Sequence, residues 1–217
     1  MTDKQTDLRA AIDRLDDEIL ALLEDRFSIS GKVASAKNGS VTFRPGREAR
    51  IIRRLCDAAQ GLDKALLLGI WRHILSASVA QQEGSLRVAV HGAAVSTAQW
   101  HFANSLSFSV LDNINELFDA LSETADYILV PCDASAEIAS QMYHRDDAQI
   151  VARTPLFPIP GIAPCFIIGN HAADPSDTDA EIYALRDGDN YALAEVTAAS
   201  PDDVNGDNIK LIGKVAV

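Results

Sequence analysis

The sequence predicts an all-α N-terminal domain of three helices over residues 1–84, followed by a smaller α/β C-terminal domain over residues 85–217. Three observations carry this reading. One apolar stripe at 3-4 spacing runs through the opening segment. From Leu86 onward, short apolar runs alternate with helical segments, the pattern of an α/β layer. Charge divides at the same place: residues 1–83 hold 13 Lys and Arg against 12 Asp and Glu, whereas residues 84–217 hold 6 against 19.

In the first helix, Leu8, Ile12, Leu15, Ile19, Leu22, Ile29 and Val33 fall between about −60° and +40° when Leu8 is set to zero and each residue advances about 100°. The pattern continues to about Lys37 without proline. A helix of roughly 30 residues is about 45 Å long, too long to lie on a compact monomer of this size, so it should pack on a helix of another subunit. Gly39 suits the left-handed position that ends a helix. Arg44-Pro45-Gly46 marks a turn into a short helix over about 46–60, with Ile51, Ile52 and Leu55 as its apolar face. Asp63 is positioned to cap a third helix that runs to about Glu83 and carries Leu67, Trp71, Ile74 and Leu75 inward.

Beyond it, Leu86–Val90, Tyr127–Val130 and Phe166–Gly169 read as strands, and Ile114–Leu121 and Ala134–Tyr143 as helices. Glu181–Leu185, Tyr191–Val196 and Ile209–Val217 add further short strands, separated by acidic turns over 174–189 that read as solvated surface.

Composition narrows the function. The chain of 217 residues is 47% hydrophobic and 23% charged, enough to bury a core. The net charge of −12 and the acidic second half exclude a nucleic-acid partner, while the neutral, arginine-rich first half can still focus positive charge in one pocket. No apolar run approaches the roughly 18–20 residues of a membrane span. The opening MTDKQTDLRAAIDRLDDE lacks the apolar core of a secretory signal, so a cytoplasmic location is expected. Cys56, Cys132 and Cys165 are odd in number and widely spaced, consistent with free thiols in a reducing compartment. The five histidines lack metal-ligand spacing, and no metal or cofactor is expected.

The informative anomaly is cationic. Arg26 falls at about 0° and Lys37 at about +20° on the helical scale, in the middle of the apolar stripe, with Arg9 at its flank. A cation on a buried face is costly unless it is paired or holds an anion. An interhelical salt bridge, or snorkelling of Lys37 from the helix end, is the structural alternative. Ser78 and Gln82 continue the Leu67–Trp71–Ile74 face of the third helix, where apolar residues are expected unless the helix end frays. Together these residues suggest a polar pocket inside a helical bundle, suited to a small polyanion.

The set Leu8-Arg9, Ile12-Asp13, Leu22-Leu23, Arg26 and Lys37, then Arg44-Pro45-Gly46-Arg47-Glu48, then Ser78-Val79-Ala80-Gln81-Gln82 resembles the all-helical chorismate mutase family over about residues 5–83. The resemblance implies an intertwined homodimer and the conversion of chorismate to prephenate in aromatic amino-acid biosynthesis. It implies that Arg9 from the partner subunit, Arg26 and Arg47 hold the substrate carboxylates, that Lys37 and Gln82 donate to the ether oxygen, that Glu48 holds the ring hydroxyl, and that Ser78 supports them. The acidic residue that some members carry in the turn is Arg44 here. The rearrangement is pericyclic and needs no nucleophile, metal or proton transfer. A folded conformer and donors facing the ether oxygen suffice. A non-catalytic protein that binds a metabolite of the aromatic pathway, and an isochorismate-pyruvate lyase, would share most of this pocket.

The second half is similar to a prephenate dehydratase region, as in the bifunctional mutase–dehydratase fusion, but in shortened and degenerate form. Leu86–Gly92 resembles its opening strand, Asp126–Pro131 its D-Y-x-V-V-P segment, and Ala163–Gly169 its T-R-F-x-x-x-G motif. The Thr and Arg of that motif are Pro164 and Cys165 here, and the effector motifs of a regulatory domain are missing. The resemblance therefore implies a relic without dehydratase activity, with at most a remnant of the regulatory domain.

Overall fold

The computed structural model describes residues 2–36, 43–82, 86–103, 105–197 and 208–217. Three helices open the chain: α1 (Thr2–Ala36), α2 (Pro45–Ala58) and α3 (Lys64–Gln82). Asp63 begins α3 as its spacing predicts, its Oδ1 accepting from the amides of Ala65 at 2.9 Å and Leu66 at 3.2 Å. Gly39, the expected end of α1, lies outside the described residues.

The rest is one mixed sheet with helices on both faces. Its elements are β1 (Val88–His91), α4 (Val95–Phe102), β2 (Phe108–Leu111), α5 (Ile114–Glu123), β3 (Tyr127–Pro131), α6 (Ser135–Tyr143), β4 (Gln149–Thr154), β5 (Cys165–Gly169), β6 (Asp179–Asp187), β7 (Asn190–Thr197) and β8 (Ile209–Ala216). The strand order is β2-β1-β3-β5-β4-β8-β6-β7. β1 pairs in parallel with β2 and β3, and β4 with β8; the remaining pairs are antiparallel. This domain is the larger of the two, which corrects the smaller domain expected from sequence. By the expected bounds alone, residues 85–217 already outnumber residues 1–84. Two strands were also not expected: β2, which is short and half-exposed, and β4, whose apolar run is only Ile150-Val151-Ala152, shorter than the four residues that mark a strand.

Strand alternation divides the core. Ile128, Val130, Ile150 and Ile168 face α5 and α6. Tyr127, Leu129, Val151 and Ile167 face α4 and, with it, Phe43 and Val79 from the helical unit. Phe43, 2% exposed, sets its ring edge-on to Tyr127 at 5.0 Å and to His101 at 5.9 Å. A further cluster joins Ile52, Leu67, Leu68 and Leu75 of α2 and α3 to Trp100, Leu156 and Phe157. The helical unit is thus docked on the sheet through α2 and α3. Trp71 and Ile74, expected to point inward, are only half-buried, because the buried face of α3 is Leu68, Arg72, Leu75 and Val79.

α1 behaves differently. Its main contact is α3, made by its C-terminal third. The apolar stripe faces solvent: Leu8 is 60% exposed, Ile19 54%, Leu22 68% and Ile29 60%. A row of large apolar residues along a helix that projects from its own chain is the kind of contiguous patch that marks an interface.

Candidate active site

The polar residues of the bundle seam are paired across it. Arg26 donates from Nη1 to Ser78 Oγ at 2.7 Å, and Ser78 in turn donates to the Ile74 carbonyl at 2.8 Å. Gln82 Nε2 donates to Ser30 Oγ at 2.5 Å and to the Ser30 carbonyl at 3.3 Å. These bonds make the seam polar, as the helical spacing predicts, and they are made to neutral groups. The Arg26 guanidinium is therefore not neutralised; burial, and then the neighbouring Arg47, hold its pKa below the ordinary range, with Glu48 acting in the opposite sense.

Between α1, the start of α2 and α3 lies a cleft of about 460 Å³. Four arginines, Arg26, Arg44, Arg47 and Arg54, line it, and Glu48 is the carboxylate among them. Ile51, Trp71, Leu75 and Val79 form apolar walls. Small concave sites with apolar walls and a few convergent polar groups are ligand sites, and this excess of planar, fork-shaped cations selects carboxylate or phosphate groups.

Glu48 itself is spoken for. It is buried, and its Oε2 accepts from Arg72 Nη2 at 2.8 Å. Arg72, 5% exposed, places Nη1 3.4 Å from both ring nitrogens of His101, and its Nε is buried without a hydrogen-bond partner. His101 Nδ1 lies 2.7 Å from Thr154 Oγ1 on β4. A buried polar chain therefore runs from the cleft carboxylate through α3 and α4 to the central sheet.

Burial, reinforced by Arg72, holds His101 well below its ordinary value of 6.5, so it is neutral in the fold. Above about pH 6.5 both folded and unfolded forms are neutral and the full stability is present. Below it, the unfolded chain takes up a proton that the folded chain refuses, and stability falls by up to about 1.4 kcal/mol per pH unit until the folded pKa is reached. Urea midpoints between pH 7 and 5.5 should drop accordingly, and His101→Gln should flatten that drop. An equal drop in the variant would contradict the assignment.

Of the residues singled out from sequence, Arg26, Arg47, Glu48, Ser78 and Gln82 converge on this cleft. Arg9 does not: it is exposed on the N-terminal half of α1, about 25 Å along the helix from Arg26. Lys37 lies outside the described residues. Sequence reasoning missed Ser30, Arg54 and Arg72. The signal for Arg72 was present, since it interrupts the spacing Leu68, Leu75, Val79 on a second face of α3.

In the α/β domain, the segment that resembles the dehydratase motif holds no charged or acidic group. Cys165 is fully buried on β5, and burial pushes its thiol up to about 11. Cys132, beside it, is pushed up to about 12 by burial. Both remain protonated at neutral pH. Thr97 donates its hydroxyl to the Ala163 carbonyl at 2.8 Å. Among the described residues, no group of three or more His, Cys, Asp or Glu could hold a metal ion, and no helix is long and apolar enough to cross a membrane.

Residues 8–83 match the model of the chorismate mutase type II family. The chain is 30% identical over 143 residues to a bifunctional chorismate mutase/prephenate dehydratase of Stutzerimonas stutzeri, covering 60% of this chain and 39% of that protein. It is 29% identical over 135 residues to the protein of the same name from Neisseria gonorrhoeae, covering 59% and 37%. The corresponding Pseudomonas aeruginosa protein is 29% identical over 143 residues, covering 60% and 39%. The chain thus spans about two fifths of the length of the curated relatives it matches. No solved structure matches it.

Proposed function

We propose, from the premise that residues 8–83 are a chorismate mutase type II domain, that this protein converts chorismate to prephenate at the arginine-lined cleft. The observation that carries the reading is the convergence of Arg26 and Arg47 with Glu48, Ser78 and Gln82 on one small cleft. Chorismate is a dicarboxylate, and two guanidiniums held on separate helices can fix its carboxylates in the folded, reactive conformer. As the ether C–O bond breaks, negative charge grows on its oxygen, and Lys37 and Gln82 donate to it there. Oε2 of Glu48 is engaged by Arg72, which leaves Oε1 to accept from the ring hydroxyl.

The active form in this reading is a homodimer. The exposed stripe of α1 supports it, because a second copy would cover Leu8, Ile19 and Leu22 and would carry its Arg9 into the cleft of the first. The reaction needs no cofactor. Dehydration of prephenate is not expected, because Pro164 offers no donor and the Cys165 thiol is buried and uncharged.

Loss of the ultraviolet absorbance of chorismate on adding the purified chain, with prephenate as product, is the direct test. Lys37→Ala should slow turnover by more than about tenfold, since removing a donor to a developing oxyanion costs about 10²–10³ in rate. Turnover surviving that change would remove Lys37 from the mechanism. Chorismate binding without any product would assign the cleft to a non-catalytic binding protein, and pyruvate release from isochorismate to a lyase.

A further inference from the structure

The helix that presents Arg47 and Glu48 is not capped by its own domain. Arg44, at the N-cap of α2, makes no side-chain capping bond, and Pro45 has no amide hydrogen. The next two amides are taken by Asp174, a residue of the loop before β6. Oδ1 accepts from Gly46 N at 2.9 Å and Oδ2 from Arg47 N at 3.0 Å, while the same Oδ2 lies 3.4 Å from Arg44 Nε. The loop backbone rests directly on the helix: a Cβ at Gly46 would fall 2.1 Å from the Asp174 carbonyl oxygen and 2.6 Å from that of Pro175.

The same loop grips α2 about two turns further on. Arg53 Nη1 donates to the Ser176 carbonyl at 2.6 Å, and Nη2 to the Thr178 carbonyl at 3.2 Å and to the Val217 carbonyl. The loop is itself fixed, because Ser176 is fully buried and donates from Oγ to Asp179, the first residue of β6, at 2.5 Å. The acidic turn expected to be solvated surface is, at Asp174, a tertiary helix cap.

We propose that Asp174 is a positioning residue for the cleft. Acting through the first turn of α2, it sets Arg47 and Glu48 where a dicarboxylate needs them, and by pairing with Arg44 it leaves Arg47 free for the ligand. The α/β domain thereby supplies a structural half of a site whose ligand-facing groups all lie in the helical domain. The inference rests on the chorismate reading for its ligand but not for its clamp. Losing a cap leaves the first turn ordered only part of the time, and apparent affinity falls by the fraction of time the site is competent.

The test uses the full chain with Asp174→Ala and Asp174→Asn. At a temperature where circular dichroism shows both variants folded, Asp174→Ala should raise the KM and Kd for chorismate by about five- to thirtyfold, the loss of a helix cap expressed as affinity. Asp174→Asn, which keeps one acceptor oxygen, should stay within about threefold. A merely structural role would lower the yield of folded protein and leave KM and Kd unchanged in what folds. Hydrogen exchange at the Gly46 and Arg47 amides reads the clamp without substrate: protection should be lost in Asp174→Ala and retained at Gly46 in Asp174→Asn. Wild-type KM and Kd in folded Asp174→Ala, or unchanged amide protection, overturn the proposal. If the wild type neither binds nor converts chorismate, the functional reading fails and exchange alone decides the clamp. Should Asp174→Ala not fold, Asp174→Asn carries the test, with protection kept at Gly46 and lost at Arg47. Loss at both amides or neither counts against it.

Discussion

Arg72→Met is expected to destabilise the chain by about 3–5 kcal/mol, the usual cost of removing one member of a buried ion pair. Arg72 and Glu48 are both nearly excluded from solvent and meet at 2.8 Å. Without the guanidinium, the nearly buried Glu48 carboxylate loses the ion pair that holds its Oε2 and is left with a charge that burial penalises. The apolar Met side chain fills much of the volume, so the loss reports mainly the stranded charge. The second half of the test follows from this: adding Glu48→Gln to Arg72→Met should recover a large part of the lost stability, a coupling that a double-mutant cycle in urea measures. A loss below about 1 kcal/mol for Arg72→Met would mean that Glu48 is solvated or otherwise paired, and that the polar chain to His101 and Thr154 is not a structural unit.

Arg26→Ala carries the largest expected effect on chemistry, a fall in kcat/KM of about 10³. Removing a preorganised donor alone costs about 10²–10³, and here a carboxylate clamp and a full charge go with it. Stability should hardly change. Among the described residues its hydrogen-bond partner is the Ser78 hydroxyl, which keeps its own bond to the Ile74 carbonyl, and the guanidinium is half-buried, with Arg47 rather than a carboxylate as its strongest charged neighbour. Arg26→Lys should recover little, because an ammonium cannot present two parallel donors to one carboxylate. Activity within tenfold of wild type in Arg26→Ala would place the substrate carboxylate elsewhere.

The helical domain was legible because its signals are local. The 3-4 stripe of α1, the Pro45 entry into α2 and the Asp63 cap each depend on neighbours within a turn or two. The same periodicity exposed Arg26 and Ser78, since a polar group on an apolar face stands out wherever the face is drawn. What was not legible depends on contacts across the chain. Asp174 caps α2 from 128 residues away, measured to Gly46, and no spacing rule connects them. Arg72 was visible only as an interruption of an apolar run, because the face that buries it is created by docking on α4 and the sheet. The strand β4 was invisible for a related reason: Gln149, Arg153 and Thr154 look like loop residues until β5 and β8 are in place beside them.

The exposed stripe of α1 and the distance of Arg9 from the cleft lead to one account, in which two copies of the chain share each site. Complementation measures this directly. Arg9→Ala and Arg26→Ala chains, each inactive alone, are co-expressed and assayed for chorismate conversion. In a two-fold dimer with Arg9 acting in trans, half of the random dimers are mixed, and each mixed dimer holds one intact site, so about a quarter of wild-type activity should return. If Arg9 acts within its own chain, the mixture stays as inactive as its parts, and if Arg9 does not act at all, the Arg9→Ala chain is active alone; either result contradicts the shared dicarboxylate cleft.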